Sequence, residues 1–507
     1  MRPDTKYKGA IKLSAIGDAL GWITEFEISK ESVEKKYGND TIDRFHDWTK
    51  NVGGKFYGYA DKIVAGSYSD DTQLMLAVAR SIKKDGTVDN DYFSKRELTN
   101  WLYYARGGGR TVKQAAEKMS RKSTRWFNNF YSYKVDGKLI DYRDTGANGA
   151  AMRVLPIALA NLGNFEKIVS ETFKNSIVTH GHPRAIIGAI LFNYAVNHII
   201  VFRPDDFSWE NFLTLIGKDL TLKLDYKAIN SQEVKEWVTL WNDRTLHNFD
   251  KTYYDTLVEA QNLLRNCYQF LKADTDDREA LNKFGCFAPE TKGSGISTVI
   301  AGIFLALKYY YKPIEAIRSA VNSIRADTDS IAAFTGALVG ALHGHSIIPD
   351  RWKNVQDVNY LETIAITLLN VSEDTASSYE LPVTISNSFV ESETWDLQNN
   401  HKVLFDPLGE GVVNCIEKQD TLTSGKYNLI VDVIFDIGQT CRFSKVLSKP
   451  NNGDKKNKAD ANNELDFIKD ELSKEAMIHL EEKLKSKSLK RNDVIELLKW
   501  FNDVIRK

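Results

Sequence analysis

The chain has 507 residues, of which 42% are hydrophobic and 27% charged, with a formal net charge of -1. That length exceeds a single compact core and points to two or more domains, while the balanced charge excludes a global basic field for nucleic acid or an anionic membrane. The longest apolar run, Ile296 to Leu307, is too short to span a bilayer, and Cys267, Cys286, Cys415 and Cys441 form no C-x-x-C pair that would suggest zinc or a disulfide framework.

The N-terminal stretch, MRPDTKYKGAIKLSAIGDALGW, lacks a basic segment followed by an apolar core, so a cytoplasmic protein is expected. Up to residue 372 the pattern is helical, with apolar residues at three- and four-residue spacing in Thr72 to Ile82, Ala185 to Ile199 and Ile331 to Leu342. An all-α catalytic domain over 1–372 is predicted, interrupted by a polar, aromatic insertion at 203–290 with helices of its own, such as Tyr253 to Leu271. The texture then changes to β-branched and aromatic residues, with turn signals at Asp406-Pro407, Leu408-Gly409 and Ser424-Gly425. A small β-barrel-like module over 373–449 is expected, then a polar linker at 450–463 and a helical tail at 464–507.

Two segments place acids at the mouths of apolar helices: Ser69-Asp70-Asp71-Thr72 and Asp327-Thr328-Asp329-Ser330. Helix capping accounts for either segment alone. Together they bring four carboxylates and several hydroxyls, and burying such a group is costly unless a cation neutralises it. An oxygen-only donor set selects a hard cation such as Mg²⁺ or Mn²⁺ over zinc. Adjacent aspartates on a helix diverge by about 100°, so they suit two neighbouring ions.

The motifs, in their order over residues 7 to 345, resemble the ADP-ribosylglycohydrolase family, including its dinitrogenase-reductase-activating type. They are Gly17-Asp18-Ala19-Leu20-Gly21 with Glu25 following, Ser69-Asp70-Asp71-Thr72, Arg106-Gly107-Gly108-Gly109, Asn148-Gly149-Ala150-Ala151-Met152-Arg153, Thr179-His180-Gly181-His182-Pro183, and Asp327-Thr328-Asp329-Ser330. The resemblance implies an all-helical hydrolase that cleaves the bond between ADP-ribose and an acceptor with two Mg²⁺ or Mn²⁺ ions. It implies that Ser69, Asp70, Asp71, Asp327, Asp329 and Ser330 ligate the metals and that Glu25 and the four aspartates are the catalytic groups. Gly107 and Gly109 would let backbone N–H groups approach the diphosphate. Asn148, Gly149, Met152 and His180 would line the ADP-ribose pocket. Ser69 and Ser330 stand where threonine is common and keep the hydroxyl; Ala147 stands where glycine often precedes the Asn-Gly pair.

Leu404-Phe405-Asp406-Pro407-Leu408-Gly409-Glu410-Gly411 and Val431 to Gly438 resemble a small SH3- or Tudor-like barrel, which implies a site for a protein partner. The expected substrate is an ADP-ribosylated protein side chain or another ADP-ribosylated acceptor, with no membrane and no general nucleic-acid partner. A catalytically silent ADP-ribose sensor, or a scaffold in a defence system, is the alternative reading.

Overall fold

A computed structural model describes residues 2–243, 248–376, 385 and 388–449. The predicted linker at 450–463 and helical tail at 464–507 lie outside the described residues. The chain divides into two compact units, residues 1–421 with 428–446, and residues 422–427 with 447–507. In the second, the Lys449 N–H donates to the Gly425 carbonyl at 2.7 Å.

The helices that position the site in the first unit are α1 (Pro3–Thr24), α2 (Asp70–Arg80), α3 (Arg110–Met119), α4 (Phe165–Ile177), α5 (Pro183–Ile199), α6 (Gly295–Lys308), α7 (Thr328–His343) and α8 (Val358–Ser372). Helices α5, α6 and α7 are apolar on nearly every side and buried along almost their whole length, as central helices must be. Helix α1 runs antiparallel to α7 with the two backbones in contact. A Cβ at Gly17 would lie 2.1 Å from the Ala332 carbonyl oxygen, and one at Gly340 would lie 2.2 Å from that of Gly9. The small residues of both helices permit this approach, and its consequence is functional. It sets the C-terminal end of α1, with Glu25 just beyond, against the acidic N-terminal end of α7. Among the described residues no helix is long and apolar enough to cross a membrane.

Residues 203–290 contribute the helices Trp209–Leu222, Gln232–Asn242, Phe249–Lys272 and Asp277–Lys283. Trp237 packs edge-on against Phe249 at 4.9 Å, and its indole N–H donates to the Tyr142 hydroxyl at 3.0 Å.

The helical part is not all-α. Strands β1 (Trp48–Val52) and β2 (Tyr59–Ile63) form an antiparallel hairpin, as do β3 (Ser132–Val135) and β4 (Lys138–Asp141). The second is turned by Asp136-Gly137, both at positive φ (48° and 82°), a two-residue hairpin signal present in the sequence.

The C-terminal module is also corrected. Strands β5 (Lys402–Phe405), β6 (Gly409–Asp420), β7 (Lys426–Phe435) and β8 (Thr440–Ser448) form a curled sheet in that order; β5 and β8 are not neighbours, so the barrel does not close. The reason lies in what its apolar face meets. Phe405 and Phe443 pack against Tyr104 of the helical body, at 5.9 Å and 5.8 Å, instead of being enclosed by the sheet itself.

Candidate active site

The acidic residues converge because three chain segments are tied together below them. Asp18, fully buried on α1, accepts the Ser69 N–H at 3.1 Å, the Thr72 N–H at 3.0 Å and the Thr72 hydroxyl at 2.6 Å. Burial still pushes its carboxyl up, with these bonds opposing the shift. Asp18 thus holds the start of α2 on α1. Ser69 caps α2 by accepting the Asp71 N–H at 3.2 Å. The start of α7 is held in the same way, since the Thr328 hydroxyl donates to the Gly21 carbonyl at 2.8 Å.

Above these contacts lies a pocket of about 370 Å³ lined by the acidic residues Glu25, Asp70, Asp71, Asp327 and Asp329 with Ser330, and by Gly107, Gly109, Asn148, Gly149, Met152 and His180. Every predicted site residue except Ser69 lines it; Ser69 sits buried beneath, its hydroxyl engaged in the cap. Among the described residues, Glu25, Asp327 and Asp329 each bring one oxygen within 4.8 Å of the other two. The Asn148 side-chain amide donates to Asp327 at 2.8 Å, and the Ser330 hydroxyl to Asp71 at 2.6 Å.

The glycine-rich turn folds over Asp70. The Gly108 N–H donates to its carboxylate at 2.6 Å. Gly107 has φ 95°, and a Cβ there would lie 2.3 Å from the Asp70 oxygen. Gly109 is different: it has φ -61° and open space around it. It precedes α3, so that the first residues of that helix, Arg110 and Thr111, face the pocket. On the far wall, Arg153 is fully buried and braces the Asn148–Met152 loop, donating to the Gly149 carbonyl at 2.5 Å and to the Asn175 carbonyl at 2.8 Å. His180 shares a hydrogen bond between Nδ1 and the Thr179 hydroxyl at 2.8 Å, and its buried Nε2 has no partner among the described residues. Burial, reinforced by Arg153, drives its pKa down to about 3, so the imidazole is neutral.

The electrostatics are those of carboxylates crowded out of water. Burial, then repulsion from Asp327, raises Glu25 to about 8, with Lys50 pulling the other way. Burial raises Asp70 to about 6, and pushes Asp71 and Asp329 well above the carboxylate range with their acidic neighbours adding to the shift. A hard divalent cation fits this oxygen donor set, because it would supply the charge that the buried carboxylates lack.

Sequence reasoning missed Lys50. It lies on β1, lines the pocket, and holds its ammonium 3.8 Å from the centre of the Phe26 ring. Nothing in the local sequence marks it, since its place depends on the β1–β2 hairpin. Asp18 lies inside the Gly17-Asp18-Ala19-Leu20-Gly21 motif, but its bonding role arises only from the α1–α2 contact.

The sequence profile of the ADP-ribosylglycohydrolase family matches residues 1–377. The ADP-ribosylarginine hydrolase Tri1 of Serratia proteamaculans (strain 568) is 22% identical over 355 residues, covering 68% of this chain and 74% of that protein. The ADP-ribosyl-dinitrogen reductase glycohydrolase of Rhodospirillum rubrum is 29% identical over 192 residues, 38% of this chain and 57% of that protein. The ADP-ribosylhydrolase ARH3 of Xenopus tropicalis is 24% identical over 363 residues, 69% of this chain and 90% of that protein. With the match extending over the whole helical part and its pocket, the chain belongs to the ADP-ribosylglycohydrolase family and is a glycosidic-bond hydrolase.

Proposed function

We propose that this hydrolase removes ADP-ribose from an ADP-ribosylated protein side chain, with two Mg²⁺ or Mn²⁺ ions in the acidic pocket. The observation that carries the reading is the convergence of Glu25 and four aspartates from two helix starts beneath a glycine-rich turn. Asp70, Asp71, Asp327, Asp329 and Ser330 would hold the ions, with Ser69 beneath them. Bound there, the ions would orient the distal ribose and stabilise charge as the glycosidic bond breaks.

The chain's own groups have separable tasks. The backbone N–H groups at the start of α3 are directed to the diphosphate, as a helix N-terminus favours an anion. Neutral His180 offers Nε2 as one hydrogen-bond partner to a ribose hydroxyl. Asn148 fixes Asp327 in place. Glu25, with its raised pKa, is suited to take a proton from the attacking water as oxocarbenium-like charge develops at the anomeric carbon.

The test is a panel of proteins ADP-ribosylated on arginine, serine or other acceptors, each incubated with Mg²⁺, Mn²⁺ or chelator. Release of free ADP-ribose from at least one acceptor in a metal-dependent manner is expected. Tight ADP-ribose binding with no release from any acceptor would replace the enzyme reading with the sensor reading.

A further inference from the structure

We infer that the C-terminal sheet is a structural part of the reaction site, with Arg442 on β8 a positioning residue for the loops that bear the pocket. The inference rests on reading that pocket as the site of hydrolysis. Its basis is a short stretch of chain, Gln439 to Arg442, that is tied to the glycine-rich turn, to the segment just before α2 and to the far end of α2.

The first point is the glycine-rich turn. Arg442 directs Nε and one terminal nitrogen to Asp432, both at 2.7 Å, and the other terminal nitrogen to Asp61 at 3.0 Å. The second oxygen of Asp61 accepts from Arg106 at 3.1 Å. Arg106 is two residues from Gly108, whose N–H holds the Asp70 carboxylate. The second point precedes α2. The Thr440 N–H donates to Asp357 at 2.9 Å, and the same oxygen accepts the Tyr68 hydroxyl at 2.7 Å, immediately before Ser69. The third lies at the far end of α2, where Arg80 donates to the Gln439 side-chain carbonyl at 2.6 Å.

Asp61 also faces Lys50 across the β1–β2 register. The sheet grips that hairpin again through Gln419, which donates to the Ala60 carbonyl at 3.1 Å, and Asn428, which donates to the Tyr57 carbonyl at 3.0 Å. One buried carboxylate therefore connects the sheet to both walls of the pocket, the hairpin with Lys50 and the turn over Asp70. Asp61 is 5% exposed, so loss of a cationic partner leaves a buried charge poorly compensated, and the loops must shift to relieve it. A freely detachable partner-binding module would have no need of such a network.

The experiment compares full-length Arg442→Gln with Arg96→Gln. Arg96, which lies outside both loop segments in the sequence, joins the same sheet to the helical body through Asp406, at 3.0 Å. Hydrogen exchange is followed at 48–63 and 104–110, and kcat and KM are measured for an ADP-ribosylated protein with Mg²⁺. In Arg442→Gln, exchange of both segments is expected to accelerate by about tenfold or more, with kcat/KM falling by about tenfold through a higher KM. Arg96→Gln leaves both near wild type even if it lowers Tm. Arg442→Lys keeps the charge but, as a point cation, cannot span Asp432 and Asp61 together; it carries the test if the glutamine variant does not fold. Wild-type exchange at both segments in the Arg442 variants, or equal acceleration in Arg96→Gln, overturns the inference. A wild-type protein that releases no ADP-ribose defeats the functional reading instead, while the exchange data still decide whether β8 holds the loops.

Discussion

Ser330 donates its hydroxyl hydrogen to Asp71 at 2.6 Å, joining residues 259 positions apart in the chain. The bond links the first turn of α7 to the first turn of α2, so the two acidic segments form one electrostatic unit. Asp71 contributes to the upward shift of Asp329, after burial, Glu25 and Asp327. Removing any one negative charge changes the energy of the others.

The first prediction follows from that coupling. Asp329→Asn keeps the side-chain oxygen that accepts the Ser330 N–H but removes a carboxyl whose charged form is disfavoured by burial and by its acidic neighbours. In chelator its Tm is expected to rise, by roughly 2–4 °C for each kcal/mol of repulsion relieved. Added Mg²⁺ reverses the order. Wild type gains about 2.7 kcal/mol at a hundredfold excess over Kd, and the variant gains far less. Calorimetry in chelator and in Mg²⁺ checks both halves. A variant less stable than wild type in chelator would mean that protein groups already neutralise Asp329.

A pH dependence of stability follows next. Glu25 has its folded pKa raised to about 8 against an ordinary 4.5, and Asp70 is raised to about 6. The folded state therefore binds more protons than the unfolded chain between these limits. The stability conferred by the neutral carboxyls is complete below the ordinary carboxylate range and is lost as pH rises through the folded values. Metal-free protein should lose Tm steadily from pH 4.5 to pH 8, each group contributing at most about 1.4 kcal/mol per pH unit. Saturating Mg²⁺ flattens the slope by favouring the charged forms, and Glu25→Gln makes it shallower up to about pH 8. A flat metal-free profile would show that Glu25 is ionised in the folded protein at low pH.

The glycine-rich turn gives a paired test. Gly107→Ala forces a side chain into a left-handed backbone at φ 95° and toward an Asp70 oxygen 2.3 Å away. It should lower kcat/KM by about a hundredfold, as displacement of a reacting group by an ångström does. Gly109→Ala meets no atom of the described residues within 4 Å and leaves Asp70 in place, so its loss should be well below that of Gly107→Ala although it faces the pocket. Equal losses in the two variants would mean that the turn acts through flexibility and not through its contact with Asp70.

These variants also show which parts of the molecule were legible in the sequence. The acids at helix mouths could be read because capping residues and apolar periodicity are local, and the ordered motifs placed Asn148 and His180 beside them. The β1–β2 hairpin was less legible. Its strands have five residues each, and both were absorbed into a stretch read as helical. The open sheet reads as a barrel in the sequence because alternation shows that one face is buried but not what covers it; here Tyr104 of the helical body lies against Phe405 and Phe443. The bridge from Arg442 through Asp61 to Arg106 joins residues hundreds of positions apart and leaves no local pattern.

Lys50 is the pocket residue with the least sequence signal, and its role can be isolated. It is half-buried, its ammonium rests over Phe26, and it opposes the upward shift of Glu25. Lys50→Met keeps the length and the contact with the ring but removes the charge. Glu25 then loses its leading cationic influence, and its pKa rises further. If ionised Glu25 takes the proton from water, the acid limb of the kcat/KM profile in saturating Mg²⁺ should move up by about one pH unit, with the plateau rate nearly kept. The profile is measured on wild type, Lys50→Met and Lys50→Arg, the last restoring the limb toward wild type. A raised KM with an unmoved limb would instead make Lys50 a contact to the substrate's anionic groups, and would separate it from Glu25 altogether.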